Sequence, residues 1–262
     1  MIDHRERADA WCEWHNSYRQ QVGKLAGQEI GHSVRDFLIH HYAANMPSII
    51  RLPEWGARRW SVAVLREQVG NPEVEVQIGR SSDPDYEIRA PVHRARLPFH
   101  DFLDRMEHGV DNDVYMTANN AAGNRSALEP LVDDMMPLPA FLSNEPRTAM
   151  LWLGGRTLTP LHHDLTNNLM CQIFGTKQVR MVSPLQTPLL GERIHVHTKI
   201  GWLEDDDALH RGISPLDAFL KPGDALFLPL GWWHCVRTME VSCTAVFTNF
   251  VFNNSWSAGF PS

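Results

Sequence analysis

Three side chains in this sequence have the types and spacing to hold a reactive metal. Thr159-Pro-Leu-His-His-Asp164 supplies His162 and Asp164, and Gly231-Trp-Trp-His234, some seventy residues later, supplies His234. Two imidazoles and one carboxylate on one face of an octahedron suit non-heme Fe(II), with three positions left open for a cosubstrate and dioxygen. Zinc is a poorer match, because structural zinc sites favour closed Cys/His tetrahedra. Any one of the chain's 14 histidines is more readily a core or surface residue, and a lone His-x-Asp is weak evidence. The pattern gains weight because His234 follows Pro222-Gly-Asp224 and the apolar run to Pro229, a turn and then a strand.

Iron and dioxygen need two further electrons to oxidise a C–H bond. A 2-oxoacid supplies them by decarboxylation, and its distal carboxylate then needs a buried cation. Lys177, in Gly175-Thr-Lys-Gln178, lies on the next strand candidate and is placed to reach inward; a surface lysine on a β-turn is the alternative.

These residues need a scaffold that brings distant strand ends together. Along a strand, residues i and i+2 share a face, so His162 and Asp164 can point inward while His163 points away. From Ala149 onward, short apolar runs are punctuated by Gly and Pro: Ala149–Leu153, Leu158–His163, Asn168–Phe174, Gln178–Val182, Leu216–Leu220, Ala225–Leu228 and Ser242–Phe252. Such spacing predicts a sandwich or small barrel. Upstream, Val34 to Ala44 has helical period, Pro47-Ser-Ile-Ile50 reads as a strand, and Ser61 caps a helix through Gln68 with Gly70 as its stop. Glu73 to Ile78 alternates as a half-buried strand, Pro98 to Glu107 reads as a helix, and Trp11, Trp14 and Tyr18 form a packing stripe. The expected layout is one domain over 1–262, mostly β with α. Residues 1–148 give helical and strand support, 149–252 the β-barrel core, and 253–262 a short tail, with Leu190 to Ser214 inserted in the barrel.

The chain has 262 residues, 43% of them hydrophobic, so a large core is available. Its net charge of −7 argues against a nucleic-acid partner, since phosphate contacts need clustered Lys and Arg. Cys12, Cys171, Cys235 and Cys243 lack metal or disulfide spacing, and Cys171 and Cys243 read as buried small hydrophobes. No apolar run approaches the ~20 residues of a membrane span, and no signal segment opens the sequence, so the expected compartment is cytoplasmic.

The motifs resemble the JmjC-type, cupin-like 2-oxoglutarate oxygenases, most of all the branch containing the asparaginyl hydroxylase of hypoxia-inducible factor. The likeness rests on Thr159 to Asp164, Asn168, Gln172, Gly175, Lys177, Pro222 to Pro229, Trp232-Trp-His234 and Asn249-Phe250. Lys177 follows His162 at the same interval of 15 as Asn249 follows His234. The resemblance implies a double-stranded β-helix (jelly-roll) fold with Fe(II), 2-oxoglutarate and O2 as cofactors. It implies that His162, Asp164 and His234 ligate iron. Lys177, helped by Thr159 and Tyr115, would hold the distal carboxylate, with Asn168 and Asn249 beside the cosubstrate and the metal-bound carboxylate. The sequence departs from that branch in ending soon after the last barrel strand, with no C-terminal helical bundle for dimerisation; the oligomeric state stays open, and asparagine specificity does not carry over.

Substrate readings are less constrained. The run Glu204-Asp-Asp-Asp207 suits a cationic substrate or simply a solvated loop, Asn119 and Asn120 suit a peptide backbone or loop capping, and Trp232 suits a cleft wall. His195 and His197 alternate, but without a third ligand they read as strand surface. The leading expectation is a hydroxylase of a protein or peptide side chain. The alternatives are a hydroxylase of a free amino acid or small metabolite, an N-methyl-lysine demethylase, and a non-catalytic cupin-like binding module.

Overall fold

The structure, a computed structural model, describes residues 34–109, 111–117 and 121–254. Trp11, Cys12, Trp14, Tyr18, Asn119 and Asn120 lie outside the described residues.

Among the described residues, fourteen strands form two antiparallel sheets that face each other as a jelly roll. From the N-terminal half come β1 (Ser48–Arg51), β2 (Glu73–Gln77), β3 (Arg94–Pro98) and β4 (Tyr115–Met116). Then follow β5 (Met150–Gly154), β6 (Leu158–His162), β7 (Asn168–Phe174), β8 (Lys177–Val182), β9 (Arg193–Ile194) and β10 (His197–Thr198). Last are β11 (Leu216–Leu220), β12 (Asp224–Leu228), β13 (Trp233–Arg237) and β14 (Ser242–Phe247). The large sheet runs β1-β12-β7-β14-β5-β4-β2-β3 and the smaller one β11-β8-β13-β6-β10-β9.

Side-chain alternation divides the core. On β7, Leu169, Cys171 and Ile173 face outward into the cluster that covers the large sheet, while Met170 faces inward, as a period of two requires. The outer cluster includes Leu65 and Val69 of the helix Val62–Val69, and Phe99, Phe102, Leu103 and Met106 of the helix Phe99–His108. Ser61 caps the first of these by accepting from Val64 N. The N-terminal half therefore braces the outside of the sheet that carries much of the site. The inner cluster, with Met170, Val179, Met181, Leu226, Val236 and Val246, fills the space between the sheets.

β3 and β13 are among the strands that match none of the candidate runs. β3 (Arg-Ala-Arg-Leu-Pro) has an apolar face of only Ala95 and Leu97, the latter packed on the core, and it pairs along β2 as an edge strand with Arg96 near Glu73 and Arg94 near Glu75, an arrangement that suits sheet edges. His234, expected just past the apolar run to Pro229, lies within a further strand, β13, because Gly231 at φ 76° lets the chain reverse after β12. The insertion at 190–214 is packed rather than loose. Leu190, Leu203, Ala208 and Ile213 join Leu161, Val182, Trp233 and Cys235 in a third apolar cluster. No helix among the described residues is long and apolar enough to cross a membrane.

Candidate active site

His162 and His234 are register partners across β6 and β13, and their ring centroids lie 4.2 Å apart. Asp164 closes the triangle, with Oδ1 4.0 Å from His162 Nε2 and Oδ2 3.8 Å from His234 Nε2. One ligand atom from each of the three falls within 4.8 Å of the others. Nδ1 of His162 donates to Pro160 O at 2.8 Å, and Nδ1 of His234 donates to Trp232 O at 3.0 Å. A carbonyl only accepts, so Nδ1 carries the hydrogen and the Nε2 lone pair is free for a metal. Burial, and then the neighbouring His162, push the His234 imidazole down to about 4, so it is neutral and ready to ligate. Asn168 Nδ2 donates to Asp164 Oδ2 at 2.6 Å, and Gly231 N donates to Asp164 O at 3.2 Å. These bonds tie the two ligand-bearing segments together. His163 turns away and meets the Trp233 ring edge-on at 4.6 Å.

The triad opens on a cavity of about 330 Å³, whose wall includes Lys177, Thr159, Tyr115 and Asn168. Gly175 at φ +67° makes the turn from β7 to β8; a Cβ there would meet Val241 O at 2.3 Å. Lys177 is the first residue of β8 and is 3% exposed. No carboxylate among the described residues pairs with it, and burial lowers its ammonium to about 8. A buried cation without a counter-ion is costly, and the distal carboxylate of a 2-oxoacid would satisfy it. Tyr115 pairs with Gly154, whose missing side chain admits the ring: a Cβ would sit 2.6 Å from Tyr115 Cδ2. Burial raises the Tyr115 phenol far above its ordinary value, so it stays a neutral donor. Its hydroxyl lies within hydrogen-bonding reach of Thr157 and Thr159. The donor set thus fits both a divalent metal and an anionic oxoacid.

Four expected residues fall elsewhere. Asn249 is not in the cavity wall. β14 ends at Phe247, and the next turn sends Asn249 Nδ2 to Ser143, 2.8 Å from O and 3.1 Å from Oγ. Trp232 is 3% exposed in the inter-sheet core and donates Nε1 to Asn45 O, so it is no cleft wall. Glu204 and Asp205 start the short helix at 205–210, and Asp205 pairs at 2.8 Å with Arg180. Arg180 also grips Asp217 through both oxygens and donates to Leu203 O. That acidic run pins the insertion to the outside of the small sheet.

Several cavity residues had no signal in the sequence. Met150, Trp152, Met170, Val236 and Val246 supply an apolar wall because they sit on inward positions of four strands. His197, expected on a strand surface, is the β10 partner of His162 and stacks 5.9 Å from it. Arg80 is fully buried, 4.5 Å from the Tyr86 ring centroid and 4.9 Å from that of Tyr115. It donates to Gln77 and pairs at 2.8 Å with Glu87, which lines the cavity. The alternation of β9 and β10 could have flagged His197; nothing in the spacing relates Arg80 or Glu87 to the triad.

A jelly roll with an inward His–Asp–His face and a buried lysine defines the metal- and oxoacid-dependent cupins as a class. The cupin-like domain family matches residues 34–257, and the chain belongs to it. This JmjC group uses Fe(II), 2-oxoglutarate and dioxygen. The chain is similar to Jumonji C domain-containing protein 5 of Drosophila melanogaster, 26% identical over 82% of this chain and 57% of the relative. It is similar to lysine-specific demethylase JMJ30 of Arabidopsis thaliana, 28% identical over 87% of this chain and 56% of the relative. It is also similar to tRNA wybutosine-synthesizing protein 5 of Danio rerio, 25% identical over 78% and 68% of the two chains. The chain thus spans little more than half the length of the first two.

Proposed function

We propose that this chain is an Fe(II)- and 2-oxoglutarate-dependent oxygenase that oxidises a carbon of a protein or peptide side chain, with N-methyl-lysine the first substrate to test. The observation that carries this reading is one cavity holding a His–Asp–His face and a buried lysine without a carboxylate partner among the described residues. With 2-oxoglutarate and dioxygen, iron supplies an oxidant able to cleave C–H bonds, and succinate and CO2 leave as coproducts. His162, Asp164 and His234 hold the metal through three positions and leave the others open. Lys177 pairs with the distal carboxylate, and Thr159 and Tyr115 donate to it, charge-assisted bonds being about twice as strong as neutral ones. Asn168 keeps the Asp164 carboxylate turned toward the metal. Met150, Met170, Val236 and Val246 keep water from the reacting centre.

The choice of N-methyl-lysine leans on relatives named as lysine-specific demethylases. Demethylation shares its first step with hydroxylation, oxygen insertion on a carbon, but here the carbon is bound to nitrogen and is then lost as formaldehyde. Hydroxylation that stays on the side chain is the second reading, supported by the resemblance of Thr159–Asp164 and Trp232–His234 to a hydroxylase branch. The net charge of −7 weighs against a tRNA substrate such as one relative's name indicates.

The test is anaerobic Fe(II) and 2-oxoglutarate binding, then succinate release on adding dioxygen with methyl-lysine, unmodified-peptide and amino-acid panels. Formaldehyde with loss of a methyl group supports demethylation, and a retained oxygen atom supports hydroxylation. Absence of both iron and 2-oxoglutarate binding overturns the oxygenase reading and leaves a cupin-like binding module.

A further inference from the structure

The cavity contains one acidic group that the metal and cosubstrate do not need. Glu87 belongs to the turn-rich stretch between β2 and β3, outside the barrel, yet its side chain lines the cavity beside Tyr115 and His197. It is largely enclosed, at 11% side-chain exposure. Arg80, itself fully buried, donates Nη2 to Glu87 Oε1 at 2.8 Å. No hydrogen bond from another described residue reaches Oε2.

A carboxylate in a cavity built for a dicarboxylate is electrostatically unwelcome, and a buried ion pair often contributes less to stability than apolar groups of the same volume. Packing alone therefore does not explain the pair. Arg80 is held through both terminal nitrogens: it lies against the Tyr86 and Tyr115 rings and donates to Gln77 and, at 3.3 Å, to Leu158 O, while its buried Nε has no partner. Glu87 therefore has one oxygen occupied by Arg80, while its side chain lines the same cavity as the triad. Tyr115 and Trp152, their ring centroids 5.7 Å apart, add aromatic surface that suits a cation.

We propose that Glu87 is the specificity-determining residue of this site: Oε2 accepts an N–H from a cationic substrate side chain, guanidinium or ammonium, while Arg80 holds Oε1. The inference rests on the oxygenase reading above.

It is tested by calorimetric titration of the full chain, loaded anaerobically with Fe(II) and 2-oxoglutarate. The probes are the N-acetyl amides of arginine and Nε-methyl-lysine, against their neutral counterparts citrulline and norleucine. The wild type should bind at least one cationic probe roughly 10-fold or more tighter than its neutral counterpart, the size of one hydrogen bond to a charged group. Glu87→Gln should erase that preference. Because Glu87→Gln leaves Arg80 without its counter-ion and can unfold the chain, Glu87→Asp is measured too. It keeps the charge but draws the carboxylate back, and it should cut cation affinity several-fold without changing 2-oxoglutarate affinity. The preferred probe tells guanidinium from ammonium. Equal binding of neutral and cationic probes, no binding of either cationic probe, or a preference that survives both substitutions overturns the assignment of Glu87. Failure of the wild type to bind 2-oxoglutarate overturns the oxygenase reading instead.

Discussion

The two ends of the cavity are built in opposite ways. At the metal end each histidine is oriented by a carbonyl two residues earlier in its own chain, Pro160 O for His162 and Trp232 O for His234. At the cosubstrate end Lys177, Thr159 and Tyr115 come from three strands, and the parts that hold them, Gly154, Gly175 and the Arg80 cluster, are scattered over the chain. The metal end is locally encoded, and its one carboxylate, Asp164, is 40% exposed and accepts from Asn168. The cosubstrate end is globally assembled and holds an uncompensated charge. Removing a residue at the first end should cost metal and leave stability nearly alone, whereas at the second end stability and binding should move in opposite directions.

The largest effect is expected from the triad. His162→Ala or Asp164→Ala removes one of three ligands and should lower Fe(II) affinity by more than the roughly 10–100-fold that loss of a supporting partner costs. Substrate-dependent succinate should fall to background. Anaerobic metal titration with a melting curve on each variant checks this; a melting temperature that falls as steeply as the affinity would break the comparison, since the triad would then be structural.

Lys177 tests the other end. Lys177→Met should weaken 2-oxoglutarate binding about 10–100-fold, the loss of a charge-assisted bond, while Fe(II) affinity holds. The same substitution should stabilise the unliganded fold. Folding takes the ammonium from 10.5 to about 8, so below pH 8 the protonated lysine costs up to roughly 3 kcal/mol. The sign is fixed by proton counting. Between pH 8 and 10.5 the unfolded chain binds more protons than the folded one, so wild-type stability rises with pH across that window and the advantage of Lys177→Met shrinks. Binding runs the other way: 2-oxoglutarate needs the protonated lysine, so its affinity should fall above pH 8, and Lys177→Arg should flatten that fall. A Lys177→Met variant that melts lower than wild type at pH 7 would refute the uncompensated charge.

This contrast also explains what could be read in the sequence. Strand spacing after Ala149, the Ser61 cap and the placement of His162, Asp164, His234 and Lys177 rest on local pattern: a period of two, a capping hydroxyl, a left-handed glycine. β3 has no strand candidate in the sequence because its apolar face is only Ala95 and Leu97 between arginines, and β13 has none because Trp233 to Arg237 follow a reversal at Gly231 without a clean alternation. Asn249 followed from an interval that matched a family, but an interval does not fix direction, and the turn after Phe247 aims its amide at Ser143. Arg80 and Glu87 were out of reach because their meaning lies in neighbours that only the folded chain supplies.

Asn168 lies between the two ends and should give a middling effect. Its amide donates to Asp164 Oδ2, so Asn168→Ala should weaken Fe(II) binding about 10-fold and leave the lysine-dependent pH profile of 2-oxoglutarate affinity unchanged. A shift in that profile would mean that the two ends are coupled through Asn168 and are not separately built.

The smallest effect is expected on the outer face. Asp205 is 85% exposed although its partner Arg180 is 7% exposed. Arg180 keeps the bidentate pair with Asp217 and the bond to Leu203 O when Asp205 is removed. Asp205→Ala should therefore change stability by no more than about 1 kcal/mol, the range of exposed pairs, with metal, cosubstrate and cationic-probe binding unaltered. Asp217→Ala is the sharper partner experiment, because it leaves the buried guanidinium without its two-oxygen clamp and should loosen the insertion that Leu203 and Ile213 tie to β6 and β13. Hydrogen exchange over 190–214 reads that directly. If Asp205→Ala instead lowers cationic-probe affinity as much as Glu87→Gln, the acidic run reaches the substrate after all, and the cation site extends from Glu87 across the insertion.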